Sequence, residues 1–121
     1  MAVVAQRLVR VLCEDCRKAY IPNPIYLKSI GFSPDRFKDH RVYKAVGCEN
    51  CFNTGYRGRF GIFEIMVLTE RLKSLILKTF DSNRIKHEAV QQKMRTLRQD
   101  GMQKVLNGLT TVEEVLRVTQ K

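Results

Sequence analysis

The four cysteines of this 121-residue chain lie in two C-x-x-C pairs, and this arrangement constrains the fold more than any other feature. The first pair is in "CEDC" at residues 13–16, and the second is in "CENC" at residues 48–51. Two such pairs are typical of a tetrahedral Zn²⁺ site, because each pair offers two sulfur ligands to one ion. Four thiolates leave no position for a reacting water, so the pattern predicts one structural zinc ion.

Other roles for the cysteines compete with this zinc site. Redox-active C-x-x-C pairs usually open a helix in a thioredoxin-like unit, where one pair suffices. Structural disulfides are rare in a reducing compartment, and an iron–sulfur cluster would use the same thiolates. His40 and His87 are further candidate ligands, but four thiolates complete the shell, so both are interpreted as ordinary histidines.

Composition is typical of a globular protein. The chain is 44% hydrophobic and 28% charged, and no apolar run approaches the roughly 18 residues needed to cross a bilayer. The start, "MAVVAQRLVRVLC", lacks the pattern of a signal peptide, which predicts a cytoplasmic location. The net charge of +10 raises the question of nucleic acid binding. The basic residues are scattered, however, and no aromatic residues are interleaved with them to form a stacking platform.

The residues before the first cysteine pair are predicted to form a helix over residues 1–12. Their apolar side chains follow helical spacing, at Val4, Leu8, Val11 and Leu12. The helical pattern begins in the first residues of the chain, with no loop or turn signal before it, as expected of a segment cut from a longer protein.

The insert between the cysteine pairs is longer than in a plain zinc ribbon and must carry its own structure. "PIYLKSIGF" predicts a short helix that ends at Gly31, "SPDRF" a capped turn or short helix with Pro34 in first position, and "RVYKAV" a strand. A strand buried on both faces, apart from Glu64, is predicted from Ile62 to Leu68. Before it, glycines predict tight turns with positive φ at Gly55, Gly58 and Gly61.

The rest of the chain is predicted to be helical. Thr69 and Ser82 are predicted to cap two helices, Met102 begins the apolar stripe of a third, and Thr111 with Glu114 forms a capping box. The predicted fold class is α+β, with a small four-cysteine zinc-binding subdomain of short strands followed by a C-terminal bundle of three to four helices. No phosphate-binding loop, Ser/His/Asp set or carboxylate pair indicates catalysis.

Three segments resemble the C-terminal part of the GspE/PilB family of secretion ATPases. They are "AQRLVRVLCEDCRKAY", "AVGCENCFNTGYRGRFGIFEIM" and "RTLRQDGMQKVLNGLTTVEEVLRVTQ". Members are hexameric, cytoplasmic P-loop motors of type II secretion and type IV pilus assembly, so the resemblance implies ATP and Mg²⁺ as cofactors of the parent protein. It also implies a structural zinc ion with four ligands, Cys13, Cys16, Cys48 and Cys51. The ending "EEVLRVTQ" is more similar to the type II secretion branch.

The resemblance further predicts how the chain is divided. Residues 1–12 would lead out of the missing ATPase core, residues 13–60 would form the zinc-binding subdomain, and residues 61–121 a strand and the helical subdomain. The family's Walker A, Walker B, Asp-box and His-box segments would all precede residue 1. The chain alone is therefore not expected to hydrolyse ATP, and no catalytic residue is assigned.

Implied partners are other subunits of the hexamer and inner-membrane platform proteins, with the parent protein peripheral at that membrane. Four arginines are candidate interface residues, with a solvated surface as the alternative reading: Arg7, Arg10, Arg57 and Arg59. A second function class is a free-standing four-cysteine zinc module that binds nucleic acid. The scattered basic charge and the C-terminal motif favour the secretion role and predict no specific nucleic acid partner.

Overall fold

The computed structural model describes residues 1–38 and 41–119, and these ranges contain four strands and six helices. In chain order they are β1 (Ala2–Leu12), β2 (Lys18–Tyr20), α1 (Pro24–Ser29), α2 (Pro34–Phe37), β3 (Val42–Lys44), β4 (Tyr56–Val67), α3 (Glu70–Lys78), α4 (Ser82–Gln91), α5 (Leu97–Leu106) and α6 (Val112–Thr119). Antiparallel strands combined with helices confirm the predicted α+β class. Within the same ranges, no helix is long and apolar enough to span a membrane.

The sequence predicts a helix over residues 1–12, and this prediction is wrong, because strand β1 occupies the segment. β1 pairs antiparallel with β4, from Ala2 opposite Val67 to Leu12 opposite Tyr56, and forms a two-stranded ribbon. The apolar spacing satisfies a helix, but it does not exclude a strand. Its valines are restricted at χ1 in a helix and pack well on a sheet. Pairing with a distant strand therefore decides the structure.

Strand β4 is longer and more exposed than the sequence predicts. It begins before Ile62, and it is not buried on both faces, because the ribbon has only two strands. Glu64 is half-buried, and its carboxylate accepts a hydrogen bond from the Leu97 N–H at 3.1 Å. Three apolar side chains of β4 are 42%, 51% and 61% exposed, namely Phe63, Ile65 and Val67.

Two of the three glycines predicted to have positive φ do so. Gly55 has φ +85° and Gly58 has φ +79°. Gly61 is an error of the prediction, because it lies inside β4 with ordinary strand geometry. Its role is close packing, since an added Cβ would lie 2.7 Å from the side-chain nitrogen of Gln6 on the opposite strand.

The insert between the cysteine pairs forms the small elements that the sequence predicts. β2 and β3 pair antiparallel, with Ala19 opposite Tyr43. Helix α1 is capped by Asn23, whose side chain accepts a hydrogen bond from a backbone N–H, and the chain turns after it at Gly31 with φ +83°. Helix α2 begins at Pro34, where the fixed φ of proline suits the first helical position.

Four helices follow the ribbon, and their caps mostly agree with the sequence. The Thr69 hydroxyl caps α3 as predicted, whereas the cap of α4 is Asp81, one residue before the predicted Ser82. The predicted capping box of α6 is half formed. The Thr111 hydroxyl accepts a hydrogen bond from the Glu114 N–H at 3.1 Å, but the Glu114 carboxylate turns towards other partners.

One hydrophobic core joins the insert to the last two helices. Its buried members come from the insert (Leu27, Phe32, Phe37 and Val42) and from the region of α5 and α6 (Met102, Val105, Val112 and Val115). Gly101 allows α5 and α6 to pack closely, because an added Cβ would lie 2.6 Å from Val115. The two predicted subdomains therefore share a core, and the predicted boundaries between them stay a prediction.

Candidate metal centre

Two tight turns at one end of the ribbon present the four cysteines. Cys13 directly follows β1, and Cys16 lies in the turn that leads to β2. Cys48 precedes a single 3₁₀ turn, Glu49–Cys51, whose last residue is the fourth cysteine. The Cys13 N–H donates a hydrogen bond to the Gly55 carbonyl at 2.9 Å. This bond ties the first turn to the chain that leaves the second one.

The sulfur positions fit a single metal ion. All four Sγ atoms lie within 4.8 Å of one another. The Cys13–Cys48 and Cys16–Cys51 pairs are 3.8 Å apart, and Cys48–Cys51 is 3.7 Å apart. With Zn–S bonds of about 2.3 Å, a tetrahedron places its sulfur atoms about 3.8 Å from each other. The cysteines are free, and these separations are far longer than the roughly 2.05 Å of a disulfide.

Backbone N–H groups point at the sulfur atoms, as expected where thiolates must be stabilised. The Gly55 N–H donates to Cys51 Sγ at 3.1 Å, the Cys48 N–H donates to the same sulfur at 3.2 Å, and the Gly47 N–H donates to Cys16 Sγ at 3.3 Å. Such bonds favour the charged form of a thiol and orient a metal ligand.

The two cysteines of the second pair differ in how readily their thiols ionise. Burial disfavours the Cys51 thiolate, but the N–H groups of Cys48 and Gly55 outweigh burial and lower the pKa of Cys51 to about 6. Burial, followed by hydrogen bonds with Cys51 and Cys16, raises the pKa of Cys48 to about 12. Several thiolates held close together repel one another, and a bound divalent cation offsets this repulsion with its positive charge.

Glycine is required on both sides of the second turn. Gly47 has φ +115°, and a Cβ there would lie 2.9 Å from the Asn53 carbonyl oxygen. A Cβ on Gly55 would lie 2.6 Å from that of Ala45. These close approaches let the turn fold back on the strand that precedes it, which brings its two sulfur atoms to the first pair.

One of the two histidines considered as alternative ligands, His87, does not join this cluster. His87 is exposed on α4, and the only group of candidate ligands found in residues 1–38 and 41–119 is the four cysteines. His40 lies outside the described residues.

The four candidate interface arginines have different surroundings. Arg10 is about half exposed, but its guanidinium is engaged within the chain, because it forms a 2.7 Å ion pair with Glu114 and lies 4.2 Å from the centre of the Tyr56 ring. The other three are exposed on the ribbon: Arg7, Arg57 and Arg59. The Arg57 guanidinium is 3.9 Å from an Asp15 carboxylate oxygen, a distance at which an exposed pair contributes little. An interface role for these residues stays a prediction.

The sequence reasoning missed the residues that attach the metal end of the ribbon to the C-terminal helices. Glu114 is only 2% exposed, and its carboxylate accepts hydrogen bonds from the backbone and side chain of Arg10 and from Arg117. Arg17, next to the first cysteine pair, donates to the Gly108 carbonyl at 2.8 Å and lies over the Tyr43 ring. Glu114 and Arg10 are 104 positions apart in the chain, so no local pattern reveals their contact.

Comparison with known proteins places this chain in a family. Residues 1–117 match the family described as "Type II/IV secretion system protein". The chain belongs to this family. The match covers both cysteine pairs, the ribbon and nearly all of α6.

Some relatives are named for type IV pilus assembly and others for type II secretion. The type IV pilus assembly ATPase PilB of Thermus thermophilus is 41% identical over 119 residues, which are 98% of this chain and 13% of the relative. The type II secretion system protein E of Aeromonas hydrophila is 42% identical over 122 residues, covering 100% of this chain and 24% of the relative. The protein of that name in Pseudomonas aeruginosa is 40% identical, with the same two coverages.

The chain thus spans a quarter or less of the length of these relatives. Relatives with the pilus name and with the secretion name are similar to it at nearly equal identity. The assignment to the type II branch stays a prediction.

Proposed function

We propose that this chain is the zinc-binding C-terminal portion of a hexameric P-loop ATPase that powers type II protein secretion or type IV pilus assembly. The observation that carries the proposal is the cluster of four Sγ atoms within 4.8 Å of one another, in a chain that matches the family over residues 1–117. The proposed role is to stiffen the assembly and to offer a surface for docking. Catalysis belongs to other parts of the parent protein.

The proposed metal role follows from the donor set. Cys13, Cys16, Cys48 and Cys51 would each supply one thiolate, and a shell of four sulfur ligands suits Zn²⁺ in a closed, structural site. When bound, the ion supplies a rigid cross-link between the two turns and no open position for a substrate. The N–H groups of Gly47, Cys48 and Gly55 would hold the thiolates in place.

In the parent protein, ATP and Mg²⁺ would be bound by segments that this sequence lacks. Phosphoryl transfer needs a phosphate-binding loop, its lysine and the residues that hold Mg²⁺. The proposed partners are neighbouring subunits of the hexamer and platform proteins of the inner membrane, to which the cytoplasmic motor would be peripherally attached. Exposed arginines of the ribbon, including Arg57 and Arg59, are the proposed contacts.

Purified chain is expected to contain about one zinc ion per molecule, because one tetrahedral sulfur cluster serves one ion. Elemental analysis by mass spectrometry measures zinc and iron together. Thiol titration of the native chain, with and without a chelator, should find four reactive thiols only after the metal is removed. A folded protein that contains iron, two disulfides or no metal would contradict the zinc assignment.

The nucleic acid alternative predicts a different behaviour in a titration with mixed DNA duplexes. Net charge gives the chain only a sequence-independent attraction, with Kd on the order of 10⁻⁴–10⁻⁶ M at physiological salt. We expect fluorescence anisotropy to show binding that is tighter at low salt and weakens to this range at about 0.15 M salt. Tight binding that survives this salt and distinguishes between sequences would favour the free-standing zinc module over the secretion role.

A further inference from the structure

The outer edge of β4 presents unpaired backbone groups. The Leu68 N–H donates to the Met1 carbonyl at 3.0 Å, which fixes the phase of hydrogen bonding between β1 and β4. Because bonded and non-bonded pairs alternate in an antiparallel ribbon, every second residue of β4 turns its N–H and C=O away from β1. The residues so oriented at the C-terminal half of β4 are Phe63, Ile65 and Val67.

Both ends of this edge are closed, and its middle is open. The Phe63 N–H donates to the buried Asp100 carboxylate at 2.9 Å, and the Val67 carbonyl accepts from the Thr69 N–H at 3.1 Å. In the described part of the chain, nothing pairs with the Phe63 carbonyl, either backbone group of Ile65, or the Val67 N–H. An added strand could therefore pair with both the N–H and the C=O of Ile65, with the C=O of Phe63 and with the N–H of Val67. These groups have the spacing that strand pairing needs.

A groove of about 910 Å³ lies along this edge, between β4 and the helices α3, α4 and α5. The buried side chains of Leu72 and Ala89 contribute to its floor, and the exposed side chains of Ile65 and Val67 line the strand side. A long edge strand with apolar side chains is a liability unless something covers it.

The side of the groove opposite β4 is basic. Four basic residues line it, namely Arg71, Lys93, Arg95 and Lys104, against one acidic residue, Asp100. Arg71 is paired with Glu88, and Arg95 with Asp100. Among the described residues, no carboxylate lies within 4.0 Å of the Lys93 or the Lys104 ammonium group, so these two lysines remain available for a ligand.

We propose that this groove binds an extended segment of a partner polypeptide with alternating apolar and acidic side chains, which adds to β4 as a third strand. The backbone of the segment would pair with Ile65, its apolar side chains would cover the floor, and its carboxylates would meet Lys93 and Lys104. A second copy of this chain that paired edge to edge at this groove is disfavoured, because the basic residues of the two grooves would be brought together. The site uses no cysteine and is independent of the zinc proposal.

The test titrates the full chain with a short capped peptide of Val–Glu repeats, followed by fluorescence anisotropy and by backbone NMR. We expect saturable binding with shifts concentrated at residues 63–67. A peptide with N-methyl groups on the edge-facing amides should bind at least about tenfold more weakly, because it cannot form the added strand. A Val–Lys peptide should not bind.

Variants of the chain test the same added strand by changing β4 and the groove instead of the peptide. Ile65→Pro removes an outward N–H and no bond to β1, so it should weaken binding about tenfold, while Ile65→Thr keeps the N–H and serves as the matched control. Combined Lys93→Glu and Lys104→Glu should weaken binding of the Val–Glu peptide. Circular dichroism checks folding, and if Ile65→Pro fails to fold, the N-methylated peptide decides.

The proposal is overturned by any of four results. These are no binding at about 1 mM peptide, equal binding of the N-methylated peptide, concentration-dependent self-association of the chain through residues 63–67, and preference of the groove for a nucleic acid over the acidic peptide.

Discussion

Replacing Cys48 with serine is expected to abolish stoichiometric zinc binding and to unfold the insert. The Cys48 Sγ lies 3.8 Å from that of Cys13 and 3.7 Å from that of Cys51, at one corner of the sulfur tetrahedron. A serine hydroxyl is a poor ligand for zinc, so three thiolates would remain. Zinc binding in small structural sites is worth roughly 10–16 kcal/mol at pH 7, whereas whole domains are stable by roughly 5–15 kcal/mol.

The effect should reach the C-terminal helices. From sequence alone these helices are expected to stay partly folded without metal, since each has its own apolar stripe. In the structure, however, Val42 of the insert shares a core with Val105 and Val115. Unfolding of the insert removes its side of that core, and we therefore expect hydrogen exchange to become faster in α5 and α6 as well.

A matched control lies in the same turn. Asn50 is exposed, and its side-chain amide donates a 3.1 Å hydrogen bond to the Asp15 carboxylate. Asn50→Ser should keep one zinc per chain and nearly the same midpoint of thermal unfolding. Zinc content, circular dichroism and hydrogen exchange are measured on both variants and on the unmodified chain. The metal hypothesis fails if Cys48→Ser is as well folded as Asn50→Ser.

Replacing Glu114 with glutamine is expected to lower the free energy of unfolding by about 2–3 kcal/mol at pH 7. Burial of Glu114 opposes its ionisation, but hydrogen bonds from Arg117 and Arg10 outweigh burial and lower its pKa to about 2 from an ordinary 4.5. A shift of this size corresponds to about 3 kcal/mol. The lower end of the range allows for the half-exposed arginines, which can turn to water when the carboxylate is lost.

The same pair of pKa values fixes the pH dependence. Because the folded pKa is below the unfolded one, the contribution of Glu114 is complete above pH 4.5 and is lost as the pH falls towards 2. Urea unfolding between pH 7 and pH 3 should therefore show a difference in the free energy of unfolding between the unmodified chain and Glu114→Gln. This gap should narrow in acid. Acid also protonates the thiolates, and comparison of two chains at each pH removes that common effect.

Glu113→Gln is the control for the Glu114 experiment. Glu113 precedes Glu114 in the first turn of the same helix and is exposed, so its replacement changes the helix-end charge without touching the buried pair. We expect a change below about 0.5 kcal/mol. Equal effects of the two substitutions, or a gap that persists unchanged at pH 3, would show that the buried ion pair does not stabilise the fold.

Features of this chain that depend on neighbouring residues could be predicted from the sequence. Ligand spacing in the two C-x-x-C pairs, the proline that starts α2 and the threonine that caps α3 all act over a few residues. Strand β1 could not be predicted, because Val4 and Leu8 suit a helix stripe as well as a strand, and only pairing with β4 decides between them. Glu114 was misread for the same reason, since its partner Arg10 is remote in sequence.

The position of the cysteines at the end of the ribbon has a mechanical consequence. Leu12 and Tyr56 face each other at the last pair of the ladder, so the insert leaves and rejoins the ribbon at adjacent points. A force that separates the two cysteine turns would pull Leu12 and Tyr56 apart, and it would open the ladder one hydrogen-bonded pair at a time. Cys13 lies one residue beyond that last pair, and a metal bridge from it to Cys48 would carry such a load before the first hydrogen bond did.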